Sequence, residues 1–346
     1  MYKDLIKKIE LIKNKKKIKV FYFGNTVKKE TKNFYITNIR ENNRFIYFGA
    51  IIFNNKSAEK ISKIVDGNFN FVLVDVEKKI TSQNKKEYVN IERSVKDVIK
   101  KSKIITYKGN DLTVQACETL INYIFLKDKR GLGGKKILIL GCGNIGFKIS
   151  LKFVESGANV FLFRRNKKIL KLIKSVINYV KPNATVAKAH IINNFRSNLN
   201  EFDVIIGSTN GIPLLKKNHV SKFKKDVIII DIGKGIFEKT ALVQAIKKDV
   251  NIFRLDISPA YDGYLENILS TKKINNLNLE KYNKLKKLNF VKRGILSLEN
   301  SIVVDNVKYP QKIYGISDGY GSFKNINKKK FDKFENILKN LKKKLL

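Results

Sequence analysis

The spacing of apolar residues divides the chain into stretches of different period. Residues 1–16 place Leu5, Ile6, Ile9 and Ile12 at helical spacing and predict an amphipathic helix. Short β-rich runs follow at 18–23, 34–39, 44–53 and 70–76, with helices predicted over 57–65 and 92–100. The polar stretch 77–90 reads as a surface loop, and 102–107 as one more strand. Lys108-Gly109-Asn110-Asp111 is a turn from which Asn110 or Asp111 can cap a helix over 112–126.

From residue 135 the alternation becomes regular. Strands are predicted at 137–140, 159–163, 184–187, 203–207, 226–232 and 251–257, with helices after residue 146, over 167–179 and over 239–247. Alternating strands and helices imply a doubly wound parallel sheet in an α/β protein. The last ninety or so residues mix short strands at 302–307 and 312–315 with a basic helix over 279–288. A terminal amphipathic helix over 328–346 carries Phe331, Phe334, Ile337 and Leu341 on one face. The expected organisation is a first α/β domain over 1–110 and a linking helix and linker over 111–134. A Rossmann domain over 135–258 follows, then a mixed C-terminal segment over 259–346 that packs on the cleft or on the first domain.

The predicted strand at 137–140 runs into Gly141-Cys142-Gly143-Asn144-Ile145-Gly146, a G-x-G-x-x-G followed by a helical pattern. That context gives the motif its meaning. Gly141 permits the tight turn, Gly143 lets backbone approach a pyrophosphate, and Gly146 lets helix and strand pack closely. The phosphates would rest on the free N–H groups opening the helix, Asn144 and Ile145 among them. At the end of the next strand stand Arg164 and Arg165, where NAD-selective sites carry a carboxylate for the ribose 2′-hydroxyl. A pair of guanidinium groups suits a 2′-phosphate instead, so the expected cofactor is NADP in preference to NAD. Ser208, Thr209 and Asn210 follow the fourth strand of this unit, where loops line the ligand crevice.

Candidate chemistry gathers at two further places. Lys234, between Gly233 and Gly235 after the fifth strand, would bind a carboxylate or lend a proton to a developing alkoxide. Asp111 with Lys108 would form a Lys/Asp pair at the cleft edge. The loop-like stretch 256–264 holds two carboxylates, a hydroxyl and two phenols without a catalytic signature. His190 and His219 lack metal-ligand spacing, and no metal site is expected. Cys142 reads as packing within the glycine turn.

Composition adds little specificity. The chain has 346 residues, 43% of them hydrophobic, which is long enough for two cores. Its 71 Lys+Arg against 30 Asp+Glu give a formal charge of +41. Such a charge would suit nucleic acid or an anionic membrane, but the lysines are spread throughout, alongside abundant Asn and Ile, and an A/T-rich coding sequence would give the same composition. No helix-turn-helix, RNP or zinc-finger pattern accompanies them, so no specific nucleic-acid partner is expected. No apolar run reaches membrane-span length and the first residues carry no signal-peptide pattern, so a cytoplasmic protein without a membrane partner is expected. Cys117 and Cys142 make no disulfide framework. The sequence leaves a homodimer open.

The order of parts resembles the shikimate dehydrogenase-like group of NADP-dependent oxidoreductases. It also resembles the amino-acid-dehydrogenase-like domains of glutamyl-tRNA reductase and methylenetetrahydrofolate dehydrogenase. The likeness runs over about residues 104–250, through Asn110-Asp111, the three glycines, Arg164-Arg165, Ser208-Thr209-Asn210-Gly211 and Thr240-Ala241-Leu242. In shikimate dehydrogenases an Asn-Thr-Asp motif supplies the catalytic Asp, and Asp111 is the nearest match. The group's Pro-containing lysine motif and its C-terminal glutamine motif have no counterpart, and the glycine loop is closer to that of amino-acid and hydroxy-acid dehydrogenases. The resemblance implies the fold and the NADP cofactor and does not fix the substrate. The expected activity is that of a dehydrogenase or reductase moving hydride to or from a small polar metabolite of hydroxy-, keto- or imino-acid type. A non-catalytic dinucleotide sensor and a basic nucleic-acid binder are the alternatives.

Overall fold

The computed structural model describes residues 2–26, 28–81, 88–274, 282–285, 288–307 and 310–345. They form two compact units, Met1–Asp262 and Gly263–Leu346.

The first unit holds two six-stranded sheets and a parallel pairing of Lys28–Lys29 with Ile80–Thr81. The N-terminal sheet is built on β1 (Ile18–Gly24), β2 (Phe45–Ile51), β3 (Phe71–Asp75) and β4 (Lys103–Tyr107), in the order β2-β1-β3-β4. Two-residue pieces, Tyr35–Ile36 and Arg40–Glu41, add antiparallel to β2. Side chains alternate across this sheet as the pleat demands. Phe21, Phe23, Phe48, Val72 and Val74 face α1 (Tyr2–Ile12), α2 (Asn55–Val65) and α3 (Ile91–Val98) in one core. The helix predicted over 1–16 stops at Ile12, with Leu5, Ile9 and Ile12 buried and Ile6 half-exposed. Asn54 caps α2, its side chain accepting from Ser57 N at 2.8 Å.

Tyr22 and Tyr47 lie on the opposite face of that sheet, where Tyr261 stacks on Tyr22 at 5.1 Å and meets Tyr107 edge-on at 5.4 Å. Tyr261 belongs to α9 (Ser258–Ile274). The stretch 256–264, expected as a cleft loop, is therefore mostly helix, and its apolar content closes this face. Arg40 ties the same segment down through an ion pair to Asp256 at 2.9 Å.

The linking helix α4 (Gly109–Ile124) begins three residues before the predicted start. Its backbone cap is Lys108, so neither Asn110 nor Asp111 is the N-cap. The orphan amides of its first turn are met from outside. Gly109 N donates to Asp75 at 3.3 Å and Asn110 N to Glu77 at 2.7 Å. Lys79 bridges both carboxylates, at 2.8 Å from Asp75 and 2.9 Å from Glu77. Burial raises the Asp75 carboxyl above its ordinary range, and Lys79 works against that rise.

The second sheet comprises β5 (Lys136–Leu140), β6 (Asn159–Phe163), β7 (Ala189–Ile191), β8 (Val204–Gly207), β9 (Ile228–Asp231) and β10 (Asn251–Arg254). Its order is β7-β6-β5-β8-β9-β10 and every pairing is parallel. The third strand lies at 189–191 instead of the expected 184–187, since Pro182 and the turn after it delay the strand. One face packs on α4, α5 (Asn144–Glu155) and α6 (Lys167–Val180) through Cys117, Ile121, Phe153 and Leu170. The other carries Leu138, Leu140, Ile205 and Ile229 against Phe195, Phe202, Leu215 and Ile236. A short α7 (Lys217–Val220) and α8 (Lys239–Lys247) complete the layer.

The second unit is a mixed sheet of β11 (Tyr282–Leu285), β12 (Leu288–Lys292), β13 (Ile302–Val304) and β14 (Ile313–Ile316), in that order. The helix expected over 279–288 is contradicted where it can be read, because Tyr282–Leu285 forms a hairpin strand with β12. Residues 279–281 and 286–287 lie outside the described residues. Phe331 and Phe334 of α10 (Lys328–Leu345) pack on the core of Phe290, Ile302, Val304 and Ile316.

The N-terminal core centres on Phe21, fully buried with its ring 5.1–5.4 Å from those of Phe23, Phe48 and Phe69. Phe21→Ala should therefore destabilise the first unit by about 3–5 kcal/mol. Urea unfolding would register this as a lower midpoint at an unchanged slope.

Candidate functional site

Sheet order reverses between β5 and β8, and ligands of doubly wound sheets bind outside the carboxyl ends of the strands at that point. The glycine turn lies there. Gly141 has φ +98°, and a Cβ on it would stand 2.8 Å from the Ser208 carbonyl oxygen. A Cβ on Gly146 would overlap the Gly141 carbonyl, so glycine is what lets α5 sit against β5. Gly143 differs. A Cβ there would meet nothing within 4 Å, and as N-cap of α5 it supplies no side-chain hydrogen bond. The first-turn amides of α5, from Asn144, Ile145 and Gly146, have no intrahelical acceptor by geometry. An open cradle of N–H groups at a helix N-terminus fits a pyrophosphate. Asn144 is held by Asn110, whose Nδ2 donates to its Oδ1 at 3.1 Å.

Arg164 follows β6 directly, and its guanidinium donates to the Cys142 carbonyl at 2.5 Å. This bond fixes the arginine beside the glycine turn. Arg165 points into solvent, and Asn166 caps α6 by accepting from Ile169 N at 3.1 Å. Cys142 is buried, and desolvation pushes its thiol up to about 11 against the opposing influence of Arg164. Such a thiol is no nucleophile at neutral pH.

The loops after β8 and β9 close on the same edge. The Ser208 hydroxyl donates to the Gly141 carbonyl, and Ser208 N donates to Leu140 at 2.8 Å. Thr209 is part-buried and its hydroxyl donates to Ile212 O at 3.2 Å, while Asn210 is exposed. A Cβ on Gly233 would overlap the Thr209 carbonyl, so these loops touch backbone to backbone. Lys234 comes next, exposed, with φ +61°. The structure therefore brings Gly141–Gly146, Arg164, Ser208, Thr209 and Lys234 to one edge.

Asp111 and Lys108 do not pair with each other. Asp111 forms an ion pair with Lys148 of α5, and Glu118 pairs with Lys152 at 2.7 Å, so these contacts stitch α4 to α5. Lys108 is exposed at the backbone cap. His219 is buried, accepts from Lys216 N at 3.1 Å and is shifted down by desolvation, while His190 stacks on Phe161. Sequence reasoning passed over Asp231, which organises the Lys234 turn. It also passed over the Asp75–Glu77–Lys79 group, whose signal was alternating charge immediately after a buried strand.

Residues 125–260 match the family model described as "D-isomer specific 2-hydroxyacid dehydrogenase, NAD binding domain". This segment is a Rossmann domain for a pyridine nucleotide. The chain is also 29% identical over 145 residues to the ketol-acid reductoisomerase (NADP(+)) of Buchnera aphidicola subsp. Diuraphis noxia. That similarity takes in 40% of this chain and only 27% of the relative's length. Among solved structures, the chain is similar to a dipicolinate synthase polypeptide from Bacillus halodurans, at 12% identity and a TM-score of 0.37. That likeness covers 73% of this chain and 97% of the other. L-tryptophan dehydrogenase from Nostoc punctiforme gives 14% identity and a TM-score of 0.40, over 60% and 57% of the two chains. No helix among the described residues is long and apolar enough to cross a membrane.

The two glycines of the Rossmann domain that bracket the helix start should respond oppositely to a bulky side chain. Gly143→Val should abolish nucleotide binding while changing stability by less than about 0.5 kcal/mol, because its Cβ enters open space. Gly146→Val should destabilise the fold by about 1–3 kcal/mol or more, because its side chain meets backbone. Nucleotide titration together with thermal unfolding of the two variants separates the effects.

Proposed function

We propose that the chain is an NADP-dependent oxidoreductase that moves hydride between the nicotinamide and a small hydroxy-, keto- or imino-acid. The observation that carries the cofactor choice is the end of β6. Arg164 is fixed there by its bond to the Cys142 carbonyl, Arg165 is exposed beside it, and no carboxylate occupies the strand end. Two guanidinium groups would hold a 2′-phosphate, while the open N-terminus of α5 would hold the pyrophosphate. The nicotinamide supplies the hydride chemistry when bound.

The chain's own residues supply position and charge. Ser208 and Thr209 hold the β8 loop against the glycine turn, at the crevice edge. Lys234 would anchor the substrate's carboxylate. Asp111 would act only through its contact with Lys148, as part of the α4–α5 seam, and Lys108 would contribute positive charge beside it. A non-catalytic sensor would share the nucleotide site but would not turn over, so substrate-dependent NADPH oxidation decides between the two.

Cofactor preference gives the first test. Wild-type protein should bind NADPH more tightly than NADH by nicotinamide fluorescence. Charge-assisted hydrogen bonds contribute about 1.5–3 kcal/mol, so Arg164→Ala should weaken NADPH by roughly ten- to a hundredfold and leave NADH nearly unchanged. Equal affinity of the wild type for the two nucleotides would remove the NADP assignment and leave the Rossmann site standing.

Lys234→Ala gives the second. It should raise the KM for a 2-oxo acid and lower kcat/KM by roughly ten- to a hundredfold, as expected for one lost charge-assisted contact, with NADPH affinity intact. A KM that does not move would return Lys234 to a solvated surface role.

A further inference from the structure

Lys234 sits in a turn that the chain has built at some cost. Its φ of +61° is left-handed, a conformation L side chains avoid, and lysine gains nothing from it that asparagine or glycine would not gain more cheaply. The residues on either side remove any freedom to relax. Gly233 lies against the Thr209 carbonyl, where a Cβ would overlap it, and Gly235 has φ +124°. Among the described residues no carboxylate forms an ion pair with the Lys234 ammonium, and the side chain is exposed. A strained turn that ends in an unpaired cation, at the carboxyl edge of a doubly wound sheet, is the pattern of a held functional group.

The group that holds it is Asp231, the last residue of β9. One carboxylate oxygen, Oδ2, accepts from Gly235 N at 2.6 Å and from Ile236 N at 3.3 Å. The carboxylate therefore spans the turn and clamps both residues that follow the lysine. Its second oxygen, Oδ1, is buried and has no hydrogen-bond partner. A buried polar atom without a partner is costly.

We propose that Asp231 is a positioning residue: its carboxylate fixes the Gly233–Gly235 turn so that Lys234 presents its ammonium to the carboxylate of a 2-oxo, 2-hydroxy or 2-imino acid. This rests on the reading of Lys234 as the substrate's carboxylate anchor. As a positioning residue Asp231 would act through the Gly235 and Ile236 amides, and loss of one charge-assisted contact weakens binding by roughly ten- to a hundredfold.

The test uses oxalate as the carboxylate probe, titrated into full-length protein saturated with NADPH, together with amide hydrogen exchange. In wild type, the Gly235 and Ile236 amides should exchange more slowly than the exposed Lys234 amide. Asp231→Ala should speed their exchange and weaken oxalate by roughly ten- to a hundredfold, with NADPH affinity unchanged. Asp231→Asn keeps an acceptor for both amides and should restore oxalate affinity to within a fewfold of wild type. A merely structural aspartate would lower the unfolding midpoint in Asp231→Ala and leave oxalate affinity in the folded protein alone. Unprotected Gly235 and Ile236 amides in wild type would overturn the clamp without any variant. Oxalate binding that is lost in Lys234→Ala but kept in Asp231→Ala would overturn the positioning role and leave the anchor intact. Oxalate affinity indifferent to Lys234→Ala, or absent from wild type, would overturn the anchor and this proposal with it.

Discussion

Three backbone segments meet at the carboxyl edge of the dinucleotide-binding sheet, closer than side chains would allow. The Gly141 carbonyl lies against Gly146 and receives the Ser208 hydroxyl, while the Thr209 carbonyl lies against Gly233. Each contact requires a missing Cβ on one partner. Together they bind the turn after β5, the loop after β8 and the turn after β9 into one rigid rim. Everything assigned to the site hangs from that rim: the amides opening α5, the arginine bonded to Cys142, and the lysine on its left-handed residue.

Two helix N-termini lie near one another at this end of the molecule, and the chain treats them in opposite ways. The start of α4 is filled by protein, with Asp75 and Glu77 accepting from its amides and Lys79 bridging the two carboxylates. The start of α5 receives no capping side chain from its N-cap and faces open space at Gly143. Desolvation makes a filled end costly, and Lys79 offsets part of that cost while the positive pole of the helix favours the remaining negative charge. The open end keeps its positive pole for a ligand. Asn110, hydrogen-bonded to Asn144, joins the two ends directly.

Much of the second sheet was legible because its signals are local. Unbroken apolar runs such as Ile137–Leu140, glycines at fixed spacing and alternating helices all state their role within a dozen residues. Tertiary relations were harder to read. The partners of the α4 amides lie more than thirty positions upstream, so the sequence offered Asn110 or Asp111 as the cap, whereas Asn110 bonds to Asn144 and Asp111 pairs with Lys148. Tyr261 looked like a cleft phenol and is a core residue, because its neighbours Tyr22 and Tyr47 lie over two hundred positions away. Around residue 282 the lysine-rich composition suggested a helix, yet strand pairing with β12 prevails there. Asp231 was in plain view beside Lys234, but its role depends on which amides its carboxylate reaches, and that is a property of the folded turn.

The tyrosines on the outer face of the N-terminal sheet carry one more implication, for how the protein is made. Tyr22 and Tyr47 are buried, and the Tyr261 ring forms part of their cover. Domains generally fold in order of emergence from the ribosome, and here the second sheet must be almost fully translated before that cover exists. During synthesis the nascent N-terminal sheet, complete at Tyr107, therefore lacks this part of its aromatic cover for the time needed to add roughly 150 residues, on the order of eight to thirty seconds at typical translation rates. The interval makes the early chain a natural client for chaperones, and it ends only when α9 folds back and docks.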